Sequence, residues 1–218
     1  MQIEWRGLHK SFGRIPVLRN MTDSIRAGEM VVLSGVSGSG KSTLLNILGL
    51  IETPDRGEIV WWGKKNVKPF SHQAEKILAQ KIGYLFQDFA LINHMTVEQN
   101  LDIALEMIKA SRADKQTFKR VALAEVGLEE NFLEKRIFEC SGGEQQRIAI
   151  ARLLLKPCEM ILCDEPTGSL DEGNKEIVIG LLRKLQKSGK SIVIATHDNS
   201  LKEIADKVIV IPDLKLGA

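Results

Sequence analysis

The stretch Gly35-Val36-Ser37-Gly38-Ser39-Gly40-Lys41-Ser42 fits the pattern G-x-x-x-x-G-K-[ST]. It follows the apolar run MVVLS and leads into an apolar-periodic segment from Lys41 to Gly49, so the spacing predicts strand, glycine-rich loop and helix in that order. Glycines let successive backbone N–H groups turn toward one anion, and the start of the helix adds partial positive charge. An amine at Lys41 reaches the terminal phosphates of a nucleotide, and a hydroxyl at Ser42 is a ligand for Mg²⁺. Gly35, Ser37, Gly38, Ser39, Gly40, Lys41, Ser42 and Thr43 are therefore candidate phosphate-binding residues. The alternative, a plain Gly/Ser turn, leaves the flanking strand and helix unexplained.

Met160-Ile161-Leu162-Cys163-Asp164-Glu165 reads as a core strand that ends in two carboxylates. Burying an isolated carboxylate is costly, so two in a row after a buried strand need a cation or a proton. Beside a phosphate-binding loop, Asp164 is expected to orient Mg²⁺ and Glu165 to polarise an attacking water. Cys163 is expected to be a small core residue.

Thirty basic against 28 acidic residues give a net charge of +2, too balanced for a nucleic-acid footprint, so no nucleic-acid partner is expected. Three cysteines without a C-x-x-C pair fit a reducing compartment better than a disulfide scaffold. No apolar run approaches the roughly 18–20 residues that span a bilayer. The start, MQIEWRGLHKSFG, has no apolar core of a signal peptide. The expectation is a cytoplasmic chain that acts at a membrane only through a partner, and the closing IPDLKLGA adds no regulatory domain.

Strands are expected over Met1–Gly7, Ile15–Leu18, Met30–Gly35, Gly57–Trp62, Ile82–Phe86, Met160–Cys163, Ser191–His197 and Val208–Ile211. Amphipathic helix dominates from Thr96 to about Leu155. Further helices are expected over Asp171–Lys187, with Ile177, Leu181, Leu182 and Leu185 as the apolar face, and over Asn199–Ala205. The segment from Gly63 to Lys81 receives no assignment. Strands alternating with helices imply an α/β fold with a mainly parallel sheet covered on both faces.

A phosphate loop with an acidic strand is shared by kinases, GTPases, helicases and transporters. No guanine-reading N/T-K-x-D and no arginine-rich lid is evident. The stretch Ser141-Gly142-Gly143-Glu144-Gln145-Gln146-Arg147 separates these classes, because it resembles the signature motif of ABC-transporter ATPases, usually written LSGGQ. Further matches follow in the family's order. Gln87 after Tyr84-Leu85-Phe86 resembles the Q-loop glutamine, Ser169-Leu170-Asp171 the D-loop, His197 the switch histidine, and Phe12 the aromatic that stacks on adenine. Phrases such as SGGEQQRIAIAR and DEPTGSLD look most like the group serving lipoprotein release, macrolide or bacteriocin export, and cell division. The signature departs from the pattern at Cys140, where Leu is usual, and at Glu144, where Gln is usual. Phe12 stands where Tyr is commoner.

The resemblance implies a P-loop NTPase: a RecA-like core with a small antiparallel β region (1–87 and 156–218) and a helical subdomain (88–155), together one ABC ATPase domain over 1–218. It implies ATP and Mg²⁺ as ligands, with Ser42, Gln87 and Asp164 around the metal. Glu165, His197 and Gln87 would be catalytic. Ser141, Gly142, Gly143 and Glu144, beginning a helix over Gly143–Leu155, and Asp171 would meet the nucleotide held by a second copy in a head-to-tail dimer. Separate membrane permease subunits would dock near Gln87–Asn100, placing the chain on the inner face of the cell membrane. A capping box from Ser141 to Glu144 is an independent reading of the same stretch. Two other roles use the same motor: a clamp on DNA or the ribosome, which needs a long coiled coil or a second cassette, and the regulation of cell-wall hydrolysis. Cys140 is expected to fill an apolar slot rather than to act as a thiol.

Overall fold

Two long strands open the chain. β1 (Ile3–Phe12) pairs antiparallel with β2 (Ile15–Ile25), and both outrun the sequence expectation. Register shifts between Trp5 and Ser11 break the apolar alternation of β1, and the outer part of β2, RNMTDS, is largely solvent-facing and polar. β3 (Met30–Ser34), α1 (Lys41–Leu48) and β4 (Arg56–Trp61) follow as expected, with Gly49 capping α1. After β5 (Lys64–Lys65) comes a helix the sequence reading lacked, α2 (His72–Gln80). Its one clear signal is Ser71, whose hydroxyl accepts from the Ala74 amide at 3.2 Å. Only Ala74 and Ile77 of this helix are buried, too few to show a periodicity.

β6 (Ile82–Leu85) precedes α3 (Val97–Leu105), α4 (Arg112–Glu125), two short 3₁₀ turns at Glu130–Glu134 and Ile137–Glu139, and α5 (Gly142–Leu155). Capping boxes begin α3 (Thr96/Gln99), α4 (Ser111/Asp114) and α5 (Ser141/Glu144). The chain continues with β7 (Met160–Asp164), α6 (Glu172–Lys187), β8 (Ser191–Ala195), α7 (Asn199–Glu203) and β9 (Lys207–Val210). The structure, a computed structural model, describes residues 1–168 and 170–214; Ser169 and the last four residues of IPDLKLGA lie outside them.

Strands β2-β1-β4-β5 form an antiparallel sheet, and β6-β7-β8-β3-β9 a parallel one. Parallel strands are buried on both faces, and here alternate residues feed two separate cores. Met30 and Val32 of β3, Ile161 and Cys163 of β7, and Ile192 and Ile194 of β8 face a core shared with α3, α4, α5 and α6. Val31, Leu33, Met160, Leu162, Val193 and Ala195 face the opposite core, shared with α1, α2 and the antiparallel sheet. One expected contact is corrected. Ile177 is 45% exposed, and its neighbour Val178, at 1%, takes the place in the α6 core stripe. Trp61 is buried, its Nε1 donating to the Leu48 carbonyl at 2.9 Å, while the partly exposed Trp62 donates to Glu159 Oε2 at 2.8 Å.

Candidate functional site

The glycine-rich loop joins β3 to α1 at the C-terminal edge of the parallel sheet. Gly40 ends the loop at φ +104°, a conformation only glycine adopts freely. A Cβ there would also lie 2.6 Å from Val17 Cγ1, so the turn is packed against the antiparallel sheet. Lys41 is 7% exposed, and its Nζ donates to the carbonyls of Gly35 (3.0 Å) and Val36 (3.2 Å). Ser39 is buried, and its Oγ has no hydrogen-bond partner among the described residues.

The second strand of the site is β7. Ser42 Oγ donates to Asp164 Oδ1 at 2.9 Å, which brings the hydroxyl and the carboxylate to one point. Burial pushes the Asp164 carboxyl above the usual range. The Ser42 bond works against that shift, and the neighbouring charge of Glu165 adds to it. Glu165 sits at φ +45°, a strained conformation for a non-glycine residue that costs about 1–3 kcal/mol. Three contacts hold it there: its N–H donates to the Ala195 carbonyl at 2.8 Å, Thr196 Oγ1 donates to its Oε2 at 2.9 Å, and His197 Nδ1 lies 3.1 Å from its Oε1. The His197 ring is 72% exposed and reaches into open space from the end of β8. Asp198, next in sequence, is fixed by Thr167 Oγ1 (3.0 Å), Lys175 Nζ (3.1 Å) and the Ser200 amide (2.9 Å). Burial opposes its ionisation, yet the bonds from Ser200, Lys175 and Thr167 bring its pKa down to about 2.

These elements line a cavity of about 800 Å³, within the range of small-ligand sites. Its walls include Phe12, Ser37, Gly38, Gly40, Lys41, Ser42, Thr43, Gln87, Glu165 and His197, all predicted from sequence. Gly35, Ser39 and Asp164 lie directly behind them, at the loop base and under Ser42. Phe12 is half exposed, with Lys10 Nζ 5.2 Å from its ring centroid. Val17, Gly168 and Thr196 were not predicted. Val17 and Gly168 carry no chemical signal in sequence, whereas Thr196 is a hydroxyl beside the singled-out His197.

The second group of predicted residues stands apart from the cavity. Ser141 and Gly142 are exposed at the start of α5, which begins one residue earlier than expected. The Ser141 N–H donates to Glu144 Oε2 at 2.7 Å, and this bond holds the Glu144 carboxyl below its usual range. A Cβ on Gly143 would lie 2.9 Å from Asn174 Cγ, so this glycine has an intramolecular reason for its bareness; one on Gly142 would meet nothing within 4 Å. Asp171 caps α6 by accepting from the Asn174 amide at 3.0 Å, and Asn174 Oδ1 in turn accepts from Arg147 at 2.7 Å. Cys140 is 6% exposed, packs into the helical core and has its thiol pKa raised by burial.

The site's chemistry fits a nucleotide triphosphate with a hard divalent cation: a loop of backbone donors, one buried amine, and a hydroxyl–carboxylate pair of oxygen donors whose carboxyl is disfavoured as a bare anion.

A family model described as ABC transporter matches residues 18–168. The chain is 36% identical over 200 residues to a macrolide export ATP-binding/permease protein MacB of Haemophilus ducreyi, covering 92% of this chain and 29% of that protein. It is 37% identical over 219 residues to the MacB of Photorhabdus laumondii, covering 97% of this chain and 33% of that one. It thus spans about a third of the length of these curated relatives. Among solved structures, the dimeric MJ0796, a bacterial ABC transporter cassette, superposes with a TM-score of 0.89 at 35% identity, covering 97% of this chain and 94% of that one. A post-hydrolysis state of the same cassette, bound to ADP and Pi, gives 0.88 at 34% identity with the same coverage. With its phosphate loop, acidic strand and signature helix in this arrangement, the chain belongs to the ABC transporter family as an ATPase cassette.

Proposed function

We propose that the chain hydrolyses ATP as one half of a head-to-tail homodimer and so drives export of a substrate through membrane permease subunits. The observation that carries this reading is the separation of two half-sites. Lys41, Gln87, Glu165 and His197 converge on one cavity, while Ser141 and Gly142 open a helix elsewhere on the surface. Phosphate held by the loop is then completed by Ser141 and Gly142 of a second copy, whose helix start favours an anion. The solved relative MJ0796 is a dimeric cassette, and the curated relatives are named for macrolide export. The substrate class is accordingly drug-like, peptide or lipoprotein.

In this reading the amine of Lys41 leaves the Gly35 and Val36 carbonyls for the terminal phosphates, and Phe12 stacks on the base. Mg²⁺, where bound, neutralises phosphate charge; Ser42, Asp164 and Gln87 are the residues that would hold it. Glu165 accepts a proton from the attacking water, and His197 holds the γ-phosphate and the carboxylate in register. Residues 1–87 and 156–218 act as the nucleotide-binding core and 88–155 as the lobe that brings the signature. Among the described residues no helix is long and apolar enough to cross a membrane. The likeness to export ATPases supports permease subunits that would hold the chain at the inner face of the membrane.

The test is Glu165→Gln. ATP affinity should persist, turnover should fall by about 100-fold or more, and an ATP-dependent dimer should accumulate on size exclusion. Hydrolysis at the wild-type rate would remove Glu165 from its role. A variant that binds ATP yet stays monomeric would remove the dimer.

A further inference from the structure

Beyond its exposed start, α5 sends two side chains back to the segments that flank the cavity. Gln146 is buried, and its Nε2 donates to the carbonyl of Pro166, the residue after Glu165. Farther along the helix, Arg152 forks: Nη1 donates to the Ala90 carbonyl at 2.7 Å and Nη2 to the Phe89 carbonyl at 2.9 Å. Phe89 and Ala90 have φ of +63° and +46°, the sole consecutive pair of left-handed non-glycine residues among the described residues. Neither side chain relieves that strain, since the small polar residues that tolerate this conformation are absent. The turn begins two residues after Gln87, a wall of the cavity.

A planar guanidinium presents two parallel donors, which suits two successive carbonyls facing one way; an ammonium does not have that geometry. Arg152 is desolvated for the purpose, and burial lowers its pKa from the ordinary arginine value. Phe89 N–H donates back to the Phe86 carbonyl at 3.0 Å, closing the turn over Gln87 itself.

We propose that Arg152 is a positioning residue for ATP hydrolysis: its fork holds the Phe89–Ala90 turn in its left-handed form, which fixes where Gln87 enters the cavity and ties that glutamine to the helix begun by Ser141. The proposal rests on the ATPase reading above. A shift of α5 on meeting a second copy would reach Gln87 through this fork and the segment beside Glu165 through Gln146.

The full chain should be compared as wild type, Arg152→Lys, Arg152→Gln, and Arg152→Gln with Ala90→Gly. Two readouts are needed: steady-state hydrolysis of Mg·ATP, and amide hydrogen exchange over residues 86–92 without nucleotide. Arg152→Gln should lower kcat about tenfold with KM for ATP within about twofold, because positioning rather than binding is lost. Arg152→Lys should fall between, since its ammonium serves one carbonyl. Exchange over 86–92 should rise in both. Ala90→Gly, which adopts a positive φ without strain, should recover about threefold of the kcat lost in Arg152→Gln.

An unchanged kcat in Arg152→Gln, a rise in KM alone, unaltered exchange over 86–92, or no recovery by Ala90→Gly each overturns the proposal. If Arg152→Gln does not fold, Arg152→Lys decides: wild-type kcat and exchange there overturn it. An active wild type with an equally active Arg152→Gln sinks this inference alone. An inactive wild type sinks the ATPase reading and this inference with it.

Discussion

The imidazole Nδ1 of His197 lies 3.1 Å from Oε1 of Glu165, although the two residues follow different, neighbouring strands and lie 32 positions apart. The other carboxylate oxygen accepts from Thr196 at 2.9 Å, so the two consecutive residues that follow β8 hold both oxygens of the proposed base. Thr196→Val keeps the shape of a fully buried side chain and deletes the donor. Loss of one hydrogen bond to a charged group, worth about 1.5–3 kcal/mol, should lower kcat by at least about tenfold with little change in KM for ATP. Steady-state kinetics would show it; a wild-type kcat would mean that Thr196 is structural only.

Lys41→Ala removes the amine that waits on the Gly35 and Val36 carbonyls. Nucleotide affinity itself should fall, by about tenfold or more, whereas Glu165→Gln should leave it intact. Fluorescent-nucleotide titration separates the two variants, and equal affinities would argue against the phosphate-binding assignment.

Two carboxylates should respond to pH with opposite signs. Asp198, held at a pKa of about 2 against an ordinary 3.8, contributes stability above pH 4 that is lost as pH falls through 2. Asp198→Asn should therefore cost up to about 2 kcal/mol at pH 7, and nearly nothing at pH 2, in chemical denaturation. Asp164 has a raised pKa, so its ionised form is a burden on the nucleotide-free fold that eases as pH falls. Asp164→Asn should raise the Tm of the nucleotide-free chain at pH 7 while abolishing hydrolysis. A lowered Tm would show that its bond with Ser42 outweighs its desolvation.

Adjacent glycines at the start of α5 should part company. Gly143→Ala forces Asn174 out of its bonds with Asp171 and Arg147, at a cost of about 1–3 kcal/mol of stability. Gly142→Ala meets no atom of its own chain and should leave Tm unchanged or raised, yet weaken ATP-driven association. Thermal melts with size exclusion check both, and a destabilised Gly142→Ala would contradict the open surface there.

Cys140→Leu should retain hydrolysis within about twofold and cost no more than about 1–3 kcal/mol of stability, because the slot is apolar and buried and Leu is the larger side chain. Alkylation of the native protein should spare this thiol, whose burial also raises its pKa.

Much of the cavity was legible because its chemistry is local in sequence. The loop, the paired acids and the histidine each end or follow a buried strand, and parallel strands read as continuous apolar runs. What escaped the reading has a weak local mark or none. The part of β1 beyond Gly7 hides behind register shifts, and α2 buries only two side chains. Ile177 and Val178 are adjacent apolar residues whose order in the stripe depends on the angle at which α6 meets the sheet. Arg152 resembles any arginine near a helix end, since its targets are backbone carbonyls about 60 residues away, with no sequence preference of their own.

The distance between the cavity and the exposed Ser141 and Gly142 has a kinetic consequence. If each nucleotide needs both, turnover per molecule depends on how often two copies meet, and dilution should suppress the rate faster than in proportion to the protein present. A permease that holds two copies side by side replaces bulk encounter by a fixed local concentration of millimolar order. Pairing with a permease would then switch the motor on without altering a single atom of its active site.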